Sequence, residues 1–130
     1  MSYAMTIRLP AAFSPTVERV RTALKDQGFG VLTEIDMRST LREKLGADIG
    51  DYVILGACNP PLAHRAVQAD PGIGLLLPCN VVVRADGPDS TVVQAMDPQV
   101  MVQLSDAPEL REVADEAAAR LRAALDAVST

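Results

Sequence analysis

Tyr52-Val53-Ile54-Leu55-Gly56-Ala57-Cys58, followed at once by Asn59-Pro60-Pro61, is the stretch from which the fold can be read. Its residues carry no charge and are apolar at successive positions, the pattern of an interior strand covered on both sides rather than of a half-solvated one. Asn59 is an N-cap residue, and prolines suit a first helical turn, where a missing N–H removes no intrahelical bond. The strand therefore predicts a helix directly behind it, with Leu62, Ala66 and Ala69 facing inward and Asp70-Pro71 ending it. Cys58 sits at the junction.

Working back toward the N-terminus, Phe29 to Ile35 places Phe29, Val31, Thr33 and Ile35 on one side, which predicts a second strand. Glu34 and Asp36, on its other side, are expected in solvent. Met5, Ile7 and Leu9 alternate with Thr6 and Arg8, giving another strand, and Ser14-Pro15 reads as the cap and first residue of a helix that carries Val17, Val20 and Leu24 to Gly28. The chain thus opens strand-helix-strand. Thr40 with Glu43 resembles a capping box, predicting a short helix with Met37, Leu41 and Leu45 on one side before Gly46.

Toward the C-terminus, Gly72 to Val83 is the longest apolar run, interrupted by Pro78 and Asn80. Proline would delete a ladder bond in a central strand, so Pro78 marks a bulge, an edge or the true strand start, with Cys79, Val81 and Val83 sharing a face beyond it. Asp86-Gly87-Pro88-Asp89 is a turn between this strand and Thr91–Met96, predicting an antiparallel hairpin. Asp97-Pro98 begins a short helical turn. The final helix is the plainest element, with Leu110, Val113, Ala114, Ala117, Ala118, Leu121, Leu125 and Val128 recurring at steps of three and four.

These elements make one α+β domain across residues 1–130, of a length and with 48% hydrophobic residues sufficient for a single core. A net charge of −5, with no gathered Lys or Arg, argues against a nucleic-acid partner, and 3% aromatic residues leave no base-stacking platform. No apolar run is long enough to span a bilayer and no secretory leader is apparent, so no membrane partner and a cytoplasmic location are expected. The expected hairpin at a sheet edge and a mean hydropathy of +0.15 point to a homodimer.

Chemistry can concentrate where the two cysteines lie, each at the meeting of an apolar strand and a turn. Cys58 and Cys79, with Asn59 and Asn80 as polar lining, form the candidate ligand site, and the two thiols are the candidate ligands for a soft metal ion such as Cu(I) or Zn(II). Met96 and Met101, flanking Asp97-Pro98, could add thioethers or simply fill the core. A helix N-terminus favours a thiolate, so the alternative is a thiol-dependent redox enzyme using Cys58; a second alternative makes both cysteines inert packing in an interaction module. A reducing compartment disfavours a bridge, although strands ending at the same level would bring Cys58 and Cys79 within bridging range. His64, on the far side of its helix from Leu62 and Ala66, reads as a surface residue. Neither a CxxC nor a glycine-rich phosphate loop is present, and the residues name no cofactor.

The ordered set Gly28-Phe29-Gly30-Val31-Leu32 with Glu34-Ile35-Asp36, Tyr52 to Pro60 with Ala63, Asp70-Pro71 with Gly74 to Cys79, Val81 with Val83, and Asp97-Pro98 with Met101 resembles the domain of unknown function 302 family. The resemblance covers almost the whole chain. It implies an α+β fold with a mainly antiparallel sheet packed by helices and a long C-terminal helix, and it brings no activity with it.

Overall fold

Each predicted element forms, and several begin at a different residue from the one expected. In the computed structural model, which describes residues 2–130, the order is β1 (Ala4–Leu9), α1 (Phe13–Asp26), β2 (Gly30–Asp36), α2 (Met37–Leu45), β3 (Tyr52–Cys58), α3 (Pro60–Ala69), a 3-10 helix (Pro71–Leu76), β4 (Cys79–Ala85), β5 (Thr91–Met96), α4 (Gln99–Leu104) and α5 (Leu110–Ser129). All five strands join one sheet in the order β1-β5-β4-β3-β2. Every neighbouring pair is antiparallel.

The opening strand-helix-strand unit is unusual in reach. Successive antiparallel pairings make β1 and β2 parallel to each other, yet they form opposite edges of the sheet. Helix α1 crosses the sheet between them. It starts at Phe13 with Ala12 at the cap position, so Ser14 is not the cap. Pro15 is accommodated because the first-turn N–H groups have no intrahelical acceptor. The fully buried hydroxyls of Thr16 and Thr91 donate to the carbonyls of Ala12 (2.7 Å) and Ala11 (2.8 Å), which fixes the turn from β1 into α1.

Helix α2 is capped by Asp36, whose carboxylate accepts from the Ser39 N–H at 2.9 Å, so the expected Thr40–Glu43 box does not form. Thr40 lies inside the helix and its hydroxyl donates to the Asp36 carbonyl. No residue of α2 is buried, Leu45 is exposed, and the helix is tied down instead by Arg38, which bridges Asp48 and Asp51 at 2.9 Å each.

On one face of the sheet, Met5, Leu9, Val53, Leu55, Ala57, Cys79, Val81, Val83, Val93 and Ala95 meet the buried stripes of α1 and of the C-terminal half of α5. A second cluster lies beyond the strand ends, where Leu62 and Ala66 of α3, Ile73 and Met101 meet Leu110, Val113, Ala114 and Ala117. Helix α5 is thus shared, its first turns serving one cluster and its last turns the other. The 3-10 helix takes Leu75 and Leu76 out of the expected strand, and Pro78, after a cis peptide bond, immediately precedes the start of β4.

β4, not β3, is the central strand, and the second side of β3 is covered by side chains rather than by a helix. Gly56 explains how. A Cβ at this position would lie 2.1 Å from Thr33 Oγ1 and 2.9 Å from Pro78 Cγ, so both side chains close over the bare glycine. Thr33 reaches it because the pairing of β2 with β3 shifts register between Val31 and Thr33. After that bulge Glu34 and Asp36 oppose Leu55 and Val53 on the helix-bearing side, where Glu34 pairs with Arg21 of α1. No helix among the described residues is long and apolar enough to cross a membrane.

Candidate functional site

Both cysteines lie at strand ends and line one cavity, although alternation along β3 starts Cys58 on the face opposite Cys79. Ala57 is the direct partner of Cys79, so Cys58, the next residue and the last of β3, stands one position from it. Both cysteines are free, Cys58 half-buried and Cys79 buried. They line a cavity of about 30 Å³ together with Asn59 and Leu62 at the start of α3, Phe29 ahead of β2, and Met101 of α4. Apart from the Asn59 amide, the lining side chains are hydrocarbon or sulfur.

Asn59 is placed by its capping duty. Its Oδ1 accepts from the Leu62 N–H at 3.2 Å, and its carbonyl accepts from Ala63 at 2.9 Å. Pro60 and Pro61 have no N–H to offer. The first turn of α3 therefore holds no free donor for a thiolate at Cys58, and the electrostatic advantage expected of this helix terminus is already spent within the helix. The amide end of Asn59 fits against Gly28, where φ is +85° and a Cβ would lie 3.0 Å from Nδ2. Gly28 thus both ends the turn after α1 and leaves room for the cap of α3.

Burial, and after it the charge that Cys58 would bring, pushes the Cys79 thiol up to about 11. Cys79 is therefore a neutral S–H donor near pH 7, packed in the sheet-face core with Ala57.

Of the four residues singled out from the sequence, Cys58, Asn59 and Cys79 come together and Asn80 does not. Asn80 pairs with Gly56, is exposed, and is absent from the cavity wall, because strict alternation along β4 turns it to the face opposite Cys79. His64 is exposed, as its position on α3 implies. Of the two methionines, Met101 enters the cavity and Met96, in β5, does not. Phe29 was readable only as a strand residue; the left-handed turn at Gly28 sends it, 2% exposed, into the core beside the thiols. Val113 and Ala117 of α5 complete the wall, and their apolar spacing says nothing about which cavity they face. Among the described residues, no three His, Cys, Asp or Glu side chains gather to hold a metal ion.

A family model described as "Domain of unknown function DUF302" matches residues 5–128. The chain belongs to the DUF302 family. Its fold is similar to that of the uncharacterized conserved protein DUF302 from Bacillus stearothermophilus, whose crystal structure superimposes with a TM-score of 0.89 at 33% identity over 98% of both chains. The five-stranded antiparallel sheet and long C-terminal helix are thus those of a DUF302 protein. A search of curated proteins returned no match.

Proposed function

We propose that this DUF302 protein binds a small thiophilic ligand in the cavity shared by Cys58 and Cys79. The observation supporting this reading is that the chain's two cysteines, far apart in sequence, line one small sulfur-and-hydrocarbon cavity. A second thiol beside the first turns two weak single-point contacts into a chelate. The redox-enzyme reading has less support, since the N–H groups that would hold a Cys58 thiolate are occupied or absent.

A cytoplasmic setting goes with this reading, because the thiols can act as ligands only while unbridged, and that compartment keeps them so. We also propose a homodimer. Its support is the sheet face away from α1 and α5, where Ile35, Ile54 and Val82 form a cross-strand apolar row with Ile35 45% exposed. Light scattering on the wild type and on Ile35→Lys should give a dimer and a monomer; a monomeric wild type rules the dimer out.

Arsenite tests the shared site. Arsenous acid condenses with a pair of adjacent thiols, forming two As–S bonds and releasing two waters, and holds poorly to one. Native mass spectrometry of the reduced full chain should show one retained arsenic, lost in Cys58→Ser and in Cys79→Ser. Retention in both variants, or none in the wild type, removes the proposal.

A further inference from the structure

Met101 is the side chain that a two-thiol site leaves unused. It is 2% exposed, lines the cavity, and comes from α4, whose start is set by Asp97 accepting from the Gln99 N–H at 2.9 Å. Of the residues lining the cavity, Cys58, Cys79 and Met101 carry sulfur and no other offers a soft donor. Zn(II) fills a tetrahedral set, and harder cations take six or more oxygens. Neither set exists here, since no three His, Cys, Asp or Glu side chains gather among the described residues.

A monovalent d10 ion has different needs. Cu(I) prefers sulfur, and it is satisfied by two thiolates, or by two thiolates and a thioether in a plane around it. The cavity, about 30 Å³, suits a bare ion, whereas organic ligands occupy pockets roughly ten times larger. We propose that Cys58, Cys79 and Met101 form an all-sulfur site for a soft monovalent cation, Cu(I) being the probe of choice. This inference rests on the shared-thiol reading and adds to it the class of ligand and the third donor.

The ligand exchange balances without a redox partner. Each thiol S–H bond breaks as a Cu–S bond forms, both protons pass to water or buffer, Met101 contributes a lone pair, and copper stays in its +1 state.

The test uses the reduced full chain and Cu(I) delivered anaerobically from a competing chelator. The wild type should retain one ion per chain, and a large excess of Zn(II) should not displace it. Met101→Leu conserves volume in a buried position and should weaken retention by about tenfold or more, while Met96→Leu should leave it unchanged. If Met101→Leu fails to fold, copper-edge X-ray absorption on the wild type decides: a shell with both thiolate and thioether sulfur supports the site, and a two-sulfur shell overturns it. Unchanged retention in a folded Met101→Leu, or displacement by Zn(II), also overturns it. Arsenite bound by a chain whose copper ignores Met101 would leave the thiol pair standing and remove only the thioether. Failure of both probes removes both readings.

Discussion

Gly56 and Cys79 show how single positions in this chain are decided by neighbours rather than by their own preferences. Glycine weakens a strand through its backbone freedom, yet here no other residue fits under Thr33 and Pro78. Gly56→Ala should destabilise the protein by about 1–3 kcal/mol through overpacking, measured by urea unfolding, and Thr33→Gly in the same chain should recover part of that loss. Cys79 ties the cavity to pH. Its thiol stays protonated in the folded chain up to about 11, whereas its ordinary value is 9.0. Between those values the unfolded chain has released its proton and the folded one has not, so stability is fully present below about pH 9 and falls as pH rises toward 11, by up to about 1.4 kcal/mol per pH unit. Cys79→Ala should abolish that slope in a set of unfolding curves from pH 8 to 11, while costing about 1 kcal/mol at neutral pH for the small cavity it leaves. Both thiols and the Asn59 cap were visible from residue type and spacing. Asn80 carries no such signal, because a strand residue next to a cysteine in sequence lies on the opposite face.

At the level of elements, the positions of strands and helices follow from periodicity, but their starts do not. Ser14 and Thr40 are good caps in isolation; Ala12 and Asp36 hold those positions because the chain leaves β1 and β2 there. The bulge in β2 has no signal of its own in Val31-Leu32-Thr33, and it alone puts Thr33 over Gly56 and Glu34 beside Arg21. Helix α2 has no fully buried residue, only half-buried ones such as Met37 and Leu41, so the ion pairs of Arg38 carry much of its attachment. Arg38 and the Gly50 N–H hold the Asp48 carboxyl well below its usual value of 3.8, at about 2. A depressed carboxylate stabilises the fold above its unfolded value and loses that contribution as pH falls through the folded one. Protection of α2 amides against hydrogen exchange should therefore drop between about pH 4 and 2, and Asp48→Asn should show the acid-like, low-protection state already at neutral pH. Unchanged exchange in that variant would mean that Arg38–Asp51 alone secures the helix.

Across the whole molecule, the sheet and the strand-end cluster could be two loosely joined bodies were it not for α5. Leu110 is buried in one cluster and Leu121 in the other, at 0% and 1% exposure. Truncating either to alanine should cost about 2–5 kcal/mol, and both should move one common transition whether it is followed by circular dichroism or by exchange of the slowest amides. Separate transitions would show that the helix does not couple them. Strand order was the least legible property from the sequence. The amphipathic strands declare which face is buried, but nothing in β3 says that β4 rather than β3 is central, since both are apolar and flanked. The cavity had the same difficulty, because Phe29, Met101 and Val113 reach it from three elements whose packing depends on the fold as a whole.

The placement of β1 and β2 at opposite edges carries a consequence for synthesis. β1 leaves the ribosome before the other four strands and finds its partner in residues 91–96, so Met5 and Leu9 stay without their sheet neighbours until β5 has been translated. β2, β3 and β4 can meanwhile assemble in the order in which they emerge. The nascent protein thus waits with one hydrophobic border open, and that border closes only when the newest strand slots in beside the oldest.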